Sequence, residues 1–309
     1  MQNTFSKDSI GSVVVTYNPD PAILFHQLDS LKTQVGTIFL VDNGSLNAED
    51  IVKTASSIRS TKLLFCEKNQ GLGRAHNIGI QACRDAGHDA VLLLDQDTIP
   101  SNDMVSKLLL ALNRLTQSSN KTSAVGARFI GNSGHSSFFV QFSRFRFQKI
   151  HCTDSKYSTI IPADMLISSG SLIPMAAVDA IGNMDETLFI DHIDTDWFLR
   201  AKSLRWQAYG VCDALMEHRL GEKTLRVWFG RWRNLPIHLP FRYYFIYRNS
   251  ILLRRRRYTD PNWRRADIIR LILIAVILPL SSNKTLTCFR MILLGITHGL
   301  KGKSGPLIG

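Results

Sequence analysis

The sequence predicts an α/β protein organised on a mostly parallel β-sheet. Short apolar runs alternate with stretches of helical periodicity over residues 12–115, and the runs end in polar turn residues. The strongest run, residues 91–94, leads directly into Asp95 and Asp97. A short, fully apolar run is typical of a strand buried on both faces. With 309 residues, 45% of them hydrophobic, the chain is long enough to bury such a core.

Four strand–helix repeats make up the predicted sheet, and repeats of this kind favour βαβ units with right-handed crossovers. The predicted strands are residues 12–18, 37–41, 62–66 and 91–94, and the predicted helices include residues 22–34, 48–58 and 101–115. Further along, residues 123–130 are predicted to form another strand. The alternating, phenylalanine-rich residues 131–158 are predicted to form a strand or a hairpin.

Charge is distributed unevenly along the chain. The net charge is +12, but residues 1–199 carry 16 basic and 20 acidic side chains, whereas residues 200–309 carry 21 basic and 5 acidic ones. The net charge is therefore −4 for residues 1–199 and +16 for residues 200–309. This asymmetry indicates an anionic partner for the C-terminal part, either nucleic acid or membrane. Because the basic part also contains the apolar residues 268–280, membrane is favoured over nucleic acid.

The C-terminal segments resemble surface helices more than membrane spans. Residues 241–257 are predicted to form an amphipathic basic helix, with Arg254 to Arg257 facing an anionic surface. Two apolar segments follow, residues 263–280 and 286–300. Neither reaches the ~20 uninterrupted apolar residues that a spanning helix needs. We therefore expect helices that lie in the membrane interface, with a re-entrant hairpin as the alternative.

Five cysteines are scattered through the chain without a Cys-x-x-Cys pair, at positions 66, 83, 152, 212 and 288. Metal ligation and disulfide formation are therefore not expected, and a reducing cytoplasm suits this usage. The first eight residues are polar and lack the apolar core of a signal peptide.

Carboxylates follow two of the predicted strands. Asp95 and Asp97 end the fourth strand, where the ligand sites of open α/β sheets lie, and their oxygens suit Mg²⁺ or Mn²⁺ carrying a diphosphate. Asp42 ends the second strand, where it could accept a hydrogen bond from a base N–H or a ribose hydroxyl. The alternative for all of these carboxylates is ordinary turn chemistry, because Asp readily starts turns.

A glycine-rich segment opens the helix after the third strand. Gly71 and Gly73 precede Arg74, so backbone N–H groups and a guanidinium are available to an anion. The dinucleotide fingerprint is excluded, because His76 stands where its third glycine should be. A purely structural turn is the alternative.

Three carboxylates, Asp191, Asp194 and Asp196, lie within six positions and are followed by Trp197. Acidic residues in a first helical turn interact favourably with the helix dipole, so capping is one explanation. A group of acids beside a histidine and an aromatic ring is also a good place for a general base. A serine hydrolase is set aside, because the chain has no Gly-x-Ser-x-Gly motif.

Four motifs taken together resemble those of glycosyltransferase family 2. In chain order they are Val-Thr-Tyr-Asn, Val-Asp-Asn-Gly-Ser, Asn-x-Gly-x-Gly-x-Ala-x-Asn-x-Gly and Leu-Asp-Gln-Asp. The resemblance covers about residues 10–255. More narrowly, the chain resembles the bacterial rhamnosyltransferases of O-antigen and cell-wall polysaccharide synthesis. It implies a GT-A fold, in which a nucleotide-binding α/β domain with a mixed sheet is joined to an acceptor half. The expected division is a catalytic domain over 1–235, split near residue 125, and a helical tail over 236–309.

The resemblance also assigns roles by position. The implied nucleotide- and donor-binding residues are Thr16, Tyr17, Asn18, Asp42, Asn69, Gly71, Arg74 and Asp95. The implied ligands of a divalent metal, Mg²⁺ or Mn²⁺, are Asp97, Asp95 and His218, and the implied acceptor-side residues are Gly170 and Trp197. By itself, a lone histidine such as His218 is more often structural than a ligand.

The family usually carries Glu-Asp-x-Asp before its acceptor helix, with the first Asp acting as the base. Here the match is Ile193-Asp194-Thr195-Asp196, so isoleucine replaces the glutamate. Asp194 is the expected base, with Asp196 and Asp191 as alternatives. The missing glutamate also leaves open an inactive family member that acts as a scaffold.

The resemblance implies a sugar transfer that inverts the anomeric configuration. The expected donor is dTDP-L-rhamnose, which supplies L-rhamnose, and the alternative donor is a UDP- or GDP-sugar. The implied acceptor is a hydroxyl of a saccharide linked to polyprenyl diphosphate. Such an acceptor places the protein on the inner face of the bacterial plasma membrane as a peripheral protein, with no nucleic-acid partner.

Overall fold

A mixed β-sheet with helical layers on both faces forms the centre of the molecule, which confirms the predicted α/β class. The structure is a computed structural model, and it describes residues 4–118, 121–130, 138–152, 159–218, 224–228, 232–236, 238–277 and 285–307, with backbone only between 218 and 237.

The N-terminal half consists of the predicted parallel units. Its elements are β1 (Ile10–Thr16), α1 (Pro21–Leu31), β2 (Thr37–Asp42), α2 (Ala48–Ser56), β3 (Thr61–Phe65), α3 (Leu72–Asp85) and β4 (Ala90–Asp95). The strands pair in parallel in the order β3-β2-β1-β4. Every residue of β1 is buried, and Val13 and Val14 belong to the apolar layers on opposite faces. Burial on both faces explains why these strands have continuous apolar sequences.

The second half extends the sheet with a change of direction. Its elements are β5 (Thr98–Pro100), α4 (Met104–Gln117), β6 (Thr122–Ile130), β7 (Phe138–Ser143), β8 (Arg146–His151), β9 (Ile160–Ala163), β10 (Ser171–Pro174), α5 (Met175–Ile181), α6 (Ile193–Ser203) and β11 (Gln207–His218). β10 lies antiparallel between β4 and β6, and β11 pairs with β6 in parallel. The carboxyl ends of β1, β2, β4 and β6 therefore lie at one edge of the sheet.

The phenylalanine-rich segment forms the antiparallel hairpin β7–β8, as predicted within its described part, and a second hairpin joins β12 (Thr224–Trp228) to β13 (Trp232–Pro236). The expectation of no disulfide was wrong, because Cys152 and Cys212 are bonded to each other. Cys152 follows β8 and Cys212 lies in β11, so the bond joins the hairpin to the central sheet. Cys66, Cys83 and Cys288 are buried and form no disulfide.

Three helices end the described chain: α7 (Pro240–Arg254), α8 (Pro261–Ile277) and α9 (Thr285–Leu300). α8 runs antiparallel to α7, because Arg254 pairs with Asp267 at 2.8 Å while the Tyr247 hydroxyl donates to the Leu271 carbonyl at 2.6 Å. Within the described ranges, no helix combines the length and apolar character needed to cross a bilayer.

α9 runs parallel to α7 at close range. A Cβ on Gly295 would lie 2.5 Å from the Tyr244 carbonyl oxygen, and one on Gly299 would lie 3.0 Å from that of Arg248. Two glycines spaced i, i+4 on one face therefore let the helix backbones touch. This contact fixes α7 against the C-terminal helix.

The prediction that α7 is an amphipathic surface helix was wrong. Residues 243–250 are all buried, including Arg248 and Asn249 with no exposed surface. Two of the four arginines at 254–257 make internal ion pairs, Arg254 with Asp267 and Arg256 with Asp185 and Asp196. Arg255 donates to the Gly299 and Leu300 carbonyls. The basic run therefore fastens α7 to its neighbours, and acidic partners far away in sequence neutralise much of it.

Candidate active site

The carboxyl ends of β1 and β2 form a polar floor of hydrogen-bonded side chains. Asp42 is almost fully buried, and its Oδ1 accepts from the Thr16 hydroxyl at 3.3 Å and from the Ser45 hydroxyl. The Ser45 backbone N–H donates to Asp42 Oδ2 at 3.1 Å. Asn18 joins the same turn, since its Oδ1 accepts from the Leu46 N–H at 2.7 Å. Both interpretations of Asp42 are compatible with this geometry, because a carboxylate in a turn still has lone pairs for a further donor.

Amides connect this floor to the glycine-rich segment. Asn43 Nδ2 donates to Asn69 Oδ1 at 3.2 Å, and the same Asn69 oxygen accepts from the Gly71 N–H at 2.9 Å. Tyr17 is about half exposed, and its backbone N–H donates to Gln96 Oε1 at 2.7 Å. Polar groups from β1, β2 and the start of α3 are thus connected to one another, and an exposed tyrosine follows β1.

Gly71 is required by a close approach between two loops. Its φ is +88°, and a Cβ there would lie 2.6 Å from the Phe189 carbonyl oxygen. The same oxygen accepts from the Leu72 N–H at 2.7 Å. A side chain at position 71 would therefore collide with the segment that leads to the acidic cluster.

Arg74 lies in the first turn of α3 with its side chain half exposed. Its guanidinium pairs with Glu186 at 3.2 Å, and Glu186 also accepts from Asn77 Nδ2 at 2.8 Å. Glu186 was not predicted as a site residue, because nothing in its local sequence links it to the glycine-rich segment. The pairing holds the cation at the helix N-terminus, where an anion is favoured.

The fold brings Asp194 within electrostatic range of Asp95, at the end of β4. Burial raises the pKa of Asp95 to about 7, and the negative charges of Asp97 and Asp194 add to this rise, while the Arg242 guanidinium opposes it. Residues about one hundred positions apart in sequence therefore share one electrostatic environment. Arg242, in the first turn of α7, is the cation of this environment and was not predicted.

The residues at the end of β4 fit a divalent cation. Mutually repelling carboxylate oxygens are the hard donors that Mg²⁺ and Mn²⁺ prefer, and one or two carboxylates suffice when a diphosphate supplies further oxygens. The backbone of His218 pairs with Thr98, next to Asp97, so β11 brings His218 to the same place; its side chain lies outside the described atoms. Among the described side chains, no group of three or more metal-ligating residues is preassembled.

Asp194 has the properties of a general base. Burial raises its pKa to about 6, the carboxylate of Asp191 also raises it, and the hydrogen bond from the Thr195 N–H at 2.7 Å works in the opposite direction. A base whose pKa lies slightly below neutral pH is ionised when needed and still basic enough to take a proton.

The two alternative bases are held by arginines. Asp196 is fully buried and pairs with Arg200 at 3.0 Å, with Arg256, and with the Tyr258 hydroxyl. Asp191 accepts from Arg242 Nη2 at 2.6 Å. Because every oxygen of Asp196 is occupied by a cation or a hydroxyl, the geometry favours Asp194 as the base.

Trp197 lies in the core, contrary to the expected acceptor-side position. Its side chain is only 1% exposed, and its indole N–H donates to the Gly182 carbonyl at 2.8 Å. Helical periodicity explains the difference, since Ile193 and Trp197 are spaced i, i+4 and both belong to the buried apolar layer against α6. Gly170 is also buried. It has a φ of +80°, and its N–H donates to the Leu93 carbonyl at 2.8 Å.

The loop that contains Gly170 separates Asp95 from an apolar cavity. Ser169 Oγ accepts from the Asp95 N–H at 3.1 Å and also lines the cavity, which has a volume of about 120 Å³. Its walls come from β6, from β7 and from the loop itself, and include Arg128, Phe129, Phe138, Met165 and Ile167.

The segment before α6 is conformationally strained. Phe189, Asp191 and His192 have φ values of 65°, 62° and 63°, in the left-handed region that residues other than glycine rarely adopt. Strain of this kind is found at functional sites and persists only where the surroundings hold it in place.

Asn249 of α7 is the group that holds this segment. Its Nδ2 donates to the carbonyls of Leu188, Ile190 and Asp191 at 3.0, 2.8 and 2.9 Å. Arg248 Nη2 also donates to the Leu188 carbonyl, at 2.9 Å. Two buried polar side chains of a helix predicted to lie on the surface thus fix the approach to Asp194.

His192 extends the same support to Asp194. Burial lowers the pKa of His192 to about 4, and the nearby Arg270 guanidinium lowers it further, so the ring is neutral. Its Nε2 lies 3.1 Å from Arg270 Nη2, and because arginine can only donate, Nε2 is the acceptor. The proton is therefore on Nδ1, which donates to the Thr195 hydroxyl at 3.3 Å, next to Asp194.

Replacing Asn249 by alanine is expected to lower kcat about 10–100-fold, because an ångström-scale shift of the loop misplaces Asp194, the predicted base. Three carbonyls also lose a buried donor, at about 1–3 kcal/mol for each group left unsatisfied, so the midpoint of thermal unfolding should fall. Turnover and thermal unfolding measure the two effects. Asn113→Ala is the matched control, since the described hydrogen bonds of the Asn113 side chain are to the Phe5 backbone. Equal kcat losses in both variants would contradict a positioning role.

Comparisons with known proteins agree with this geometry. A family model described as "Glycosyl transferase family 2" matches residues 12–179. The "dTDP-rhamnosyl transferase RfbF" of Shigella flexneri is 26% identical over 302 residues, which is 96% of this chain and 97% of that protein. An "N-acetylglucosaminyltransferase" of Bradyrhizobium sp. (strain ANU 289) is 33% identical over 108 residues, covering 32% of this chain and 68% of that protein.

Solved structures share the fold. A structure of S. aureus TarS 1-349 aligns with a TM-score of 0.55 at 14% identity, covering 94% of this chain and 80% of that one. A structure of GalNAc-T7 with UDP, GalNAc and Mn2+ aligns with a TM-score of 0.54 at 14% identity over 68% of this chain. This chain covers only 43% of the GalNAc-T7 chain. These likenesses concern the fold and agree with the predicted GT-A architecture.

Proposed function

Because the chain belongs to glycosyltransferase family 2, we propose that it transfers L-rhamnose from dTDP-L-rhamnose to a hydroxyl of a lipid-linked saccharide, with inversion at the anomeric carbon. The observation that carries the proposal is the convergence of Asp194 with Asp95 and Asp97 at the end of β4. The choice of donor is supported by the similarity, over nearly the whole chain, to a protein named dTDP-rhamnosyl transferase.

The donor lies in the cleft between β1, β2 and α3. Asp42 accepts a hydrogen bond from the base, and Thr16, Tyr17 and Asn18 form the surrounding wall. Asn69, Gly71 and the N-terminus of α3 face the diphosphate, and Arg74 supplies positive charge. Asp97 and Asp95, with His218, would hold a divalent cation, which would supply positive charge against the charge that develops on the leaving nucleoside diphosphate.

Asp194 takes the proton from the acceptor hydroxyl, whose oxygen attacks the anomeric carbon as the bond to the diphosphate oxygen breaks. Attack from the face opposite the leaving group inverts the configuration in a single displacement. The nucleoside diphosphate leaves with the bonding electron pair, and the proton remains on Asp194 until it passes to solvent. Asn249 and His192 keep the base in position during this step.

The acceptor approaches from the side of Ser169 and Gly170. A saccharide linked to polyprenyl diphosphate would place the reaction at the inner face of the plasma membrane, where the protein acts as a peripheral enzyme of surface polysaccharide synthesis. The excess of basic residues after position 200 supports an anionic membrane as the partner.

The test is nucleoside diphosphate release from dTDP-, UDP- and GDP-sugars, with lipid-linked acceptors, in the presence and absence of EDTA. We expect turnover of dTDP-L-rhamnose that EDTA abolishes and Mg²⁺ or Mn²⁺ restores. Turnover of a UDP- or GDP-sugar alone would show that the proposed donor is wrong, and the proposed mechanism would still apply. No turnover with any donor, over a broad acceptor panel, would favour a scaffold.

Turnover is expected to depend on pH through Asp194. The group works as a base only when ionised, and its raised pKa of about 6 means that protonation removes it as the pH falls through that value. Below pH 6, kcat should fall roughly tenfold per unit, whereas an unshifted aspartate would keep full activity to pH 4–5. A pH profile of kcat at saturating donor measures this, and a flat profile from pH 7 to pH 5 would contradict the assignment.

A further inference from the structure

The chain after α9 turns back towards the strained segment before α6. α9 ends in a left-handed turn at Gly302, which has a φ of +71°. The Gly302 N–H donates to the Gly299 carbonyl at 3.1 Å, and the Lys303 N–H donates to the His298 carbonyl at 2.9 Å. These two hydrogen bonds form a Schellman motif, which ends a helix and redirects the chain. We call residues 301–307, which follow this helix, the return segment.

One residue of the return segment, Gly305, is hydrogen-bonded to the strained segment through both of its backbone polar groups. Its N–H donates directly to the Thr187 carbonyl at 2.6 Å. Its carbonyl accepts from Nη1 of Arg248, whose Nη2 donates to the Leu188 carbonyl at 2.9 Å. The buried side chain of Arg248 therefore joins the return segment to the strained segment, which we define as residues 187–192.

Arg248 also fixes the orientation of the Asn249 amide. Its Nε donates to Asn249 Oδ1 at 2.9 Å, and its guanidinium packs against the rings of Tyr244 and Phe245, 5.3 and 4.8 Å from their centroids. An amide accepts through its oxygen and donates through its nitrogen, so Nδ2 faces the loop carbonyls. The Gly305 carbonyl is thus the far end of a hydrogen-bonded chain that reaches these carbonyls through two side chains.

Every backbone carbonyl of the strained segment accepts a hydrogen bond. The donors are, in chain order, the Gly305 N–H to Thr187, Arg248 Nη2 and Asn249 Nδ2 to Leu188, the Leu72 N–H to Phe189, Asn249 Nδ2 to Ile190 and Asp191, and the Asp196 N–H to His192. Three residues of the segment have positive φ values, so its conformation persists only while such partners hold it. Gly305 holds the first carbonyl of this run, and α6 holds the last.

We propose that Gly305 is a positioning residue for the transfer reaction, because it holds one end of the segment that leads to Asp194. The proposal rests on the proposed function, in which Asp194 is the base. It adds the return segment to the catalytic unit, whereas residues 236–309 were expected to form a separate helical tail. Both groups that Gly305 uses belong to the backbone, so no side-chain motif marks this role in the sequence.

Position 305 allows the contact to be tested through the backbone alone. Gly305 has a φ of +81°, and a Cβ there would have no heavy atom within 4 Å apart from its chain neighbours. Gly305→Pro removes the N–H donor and cannot adopt this φ, because the ring fixes φ at about −65°. Gly305→Val keeps the N–H, but a β-branched residue is strained in the left-handed region. Gly305→Asn is the conservative variant, since it keeps the N–H and asparagine tolerates this region.

Gly305→Pro is expected to lower kcat about 10–100-fold, because a displaced segment misplaces Asp194. Gly305→Val should lose less, and Gly305→Asn should recover most of the activity lost in the proline variant. The donor dissociation constant should stay unchanged in all three variants, because the donor-side contact of the segment, from the Leu72 N–H to the Phe189 carbonyl at 2.7 Å, does not involve the return segment. Wild-type kcat in Gly305→Pro would overturn the proposal. Equal proportional losses of donor binding and kcat in the valine and proline variants would also overturn it, because they would indicate a general structural role.

Gly87→Pro is the matched control, since it makes the same change at another left-handed glycine. Gly87 has a φ of +75°, its Cβ position is equally open, and its N–H donates to the Arg84 carbonyl at 2.9 Å. It follows the C-terminal end of α3, whereas the donor-side contact lies at the N-terminal end of that helix. Gly87→Pro should keep wild-type kcat. A loss as large as that of Gly305→Pro would show that proline after any helix has this effect, and the proposal would fail.

Hydrogen exchange follows the strained segment independently of turnover. The Phe189 N–H donates to the Glu186 carbonyl at 3.2 Å. The Ile190 N–H donates to the Leu188 carbonyl at 2.8 Å. Both amides should exchange faster in Gly305→Pro than in the wild type, and at the wild-type rate in the control variant. Unchanged exchange in Gly305→Pro would overturn the proposal whatever the turnover. Faster exchange, together with no turnover of any sugar nucleotide by the wild type, would reject the proposed function and support the contact between the two segments.

Discussion

Replacing Asp194 by asparagine is expected to lower kcat by about 10²–10⁴, the usual contribution of general-base catalysis. Asparagine keeps the size of the side chain and can still accept the hydrogen bond from the Thr195 N–H, so the segment before α6 should keep its conformation. The variant should bind donor normally, because Asp194 does not line the nucleotide cleft. Single-turnover rates and donor dissociation constants measure the two quantities separately.

Asp213→Asn is the control for this variant, since Asp213 is exposed on β11 and away from the acids. It should retain wild-type turnover. If the Asp194→Asn protein kept nearly full activity, another group would have to act as the base. Because Asp196 is enclosed by arginines and Asp191 is paired with Arg242, such a result would challenge the inverting displacement as a whole.

Replacing Asp97 by alanine is expected to abolish the effect of divalent cations on donor binding and to lower turnover by about two orders of magnitude or more, because charge stabilisation at the leaving group is lost. Without Asp97, Asp95 remains as the only described carboxylate of the pair. In the wild type, Mn²⁺ with nucleoside diphosphate should raise the unfolding midpoint by mass action, and in the variant this rise should disappear.

Asp29→Ala is the corresponding control, because Asp29 is partly exposed on α1 and its partner among the described residues is Lys32. It should keep the rise in midpoint caused by Mn²⁺. Thermal unfolding with and without EDTA compares the proteins directly. If Asp97→Ala kept the full rise in midpoint, the cation would not bind at the end of β4. The diphosphate would then be bound by Arg74 and the N-terminus of α3 alone.

The sequence was sufficient to predict the parallel half of the sheet, because each strand there is a continuous apolar run that ends in turn residues. It did not predict that β10 enters antiparallel between β4 and β6. Residues 167–174 are small and polar between apolar ends, and their partners, such as Leu93, are about 80 positions away. A pairing over that distance leaves no periodic signal in the strand itself.

Some residues of the candidate site could be predicted from the sequence, and others could not. Asp42, Asp95, Asp97 and Asp194 could be proposed from motifs, because their neighbours in sequence mark strand ends and a helix start. Arg242 and Asn249 could not, because their functional partners are loop carbonyls and carboxylates that only the tertiary fold brings near. The arginine run misled for a related reason, since Asp185, Asp196 and Asp267 neutralise it from elsewhere in the chain.

The hydrogen bonds of Asn249 have a consequence for exchanging segments between members of this family. A chimera joined near residue 235 would combine the strained loop of one parent with the supporting helix of another. The loop at 185–192 and the helix at 240–256 form one inheritable unit, although about fifty residues separate them. Recombinants that transfer both segments from one parent should keep activity, whereas those that divide them should lose it even when each half is native.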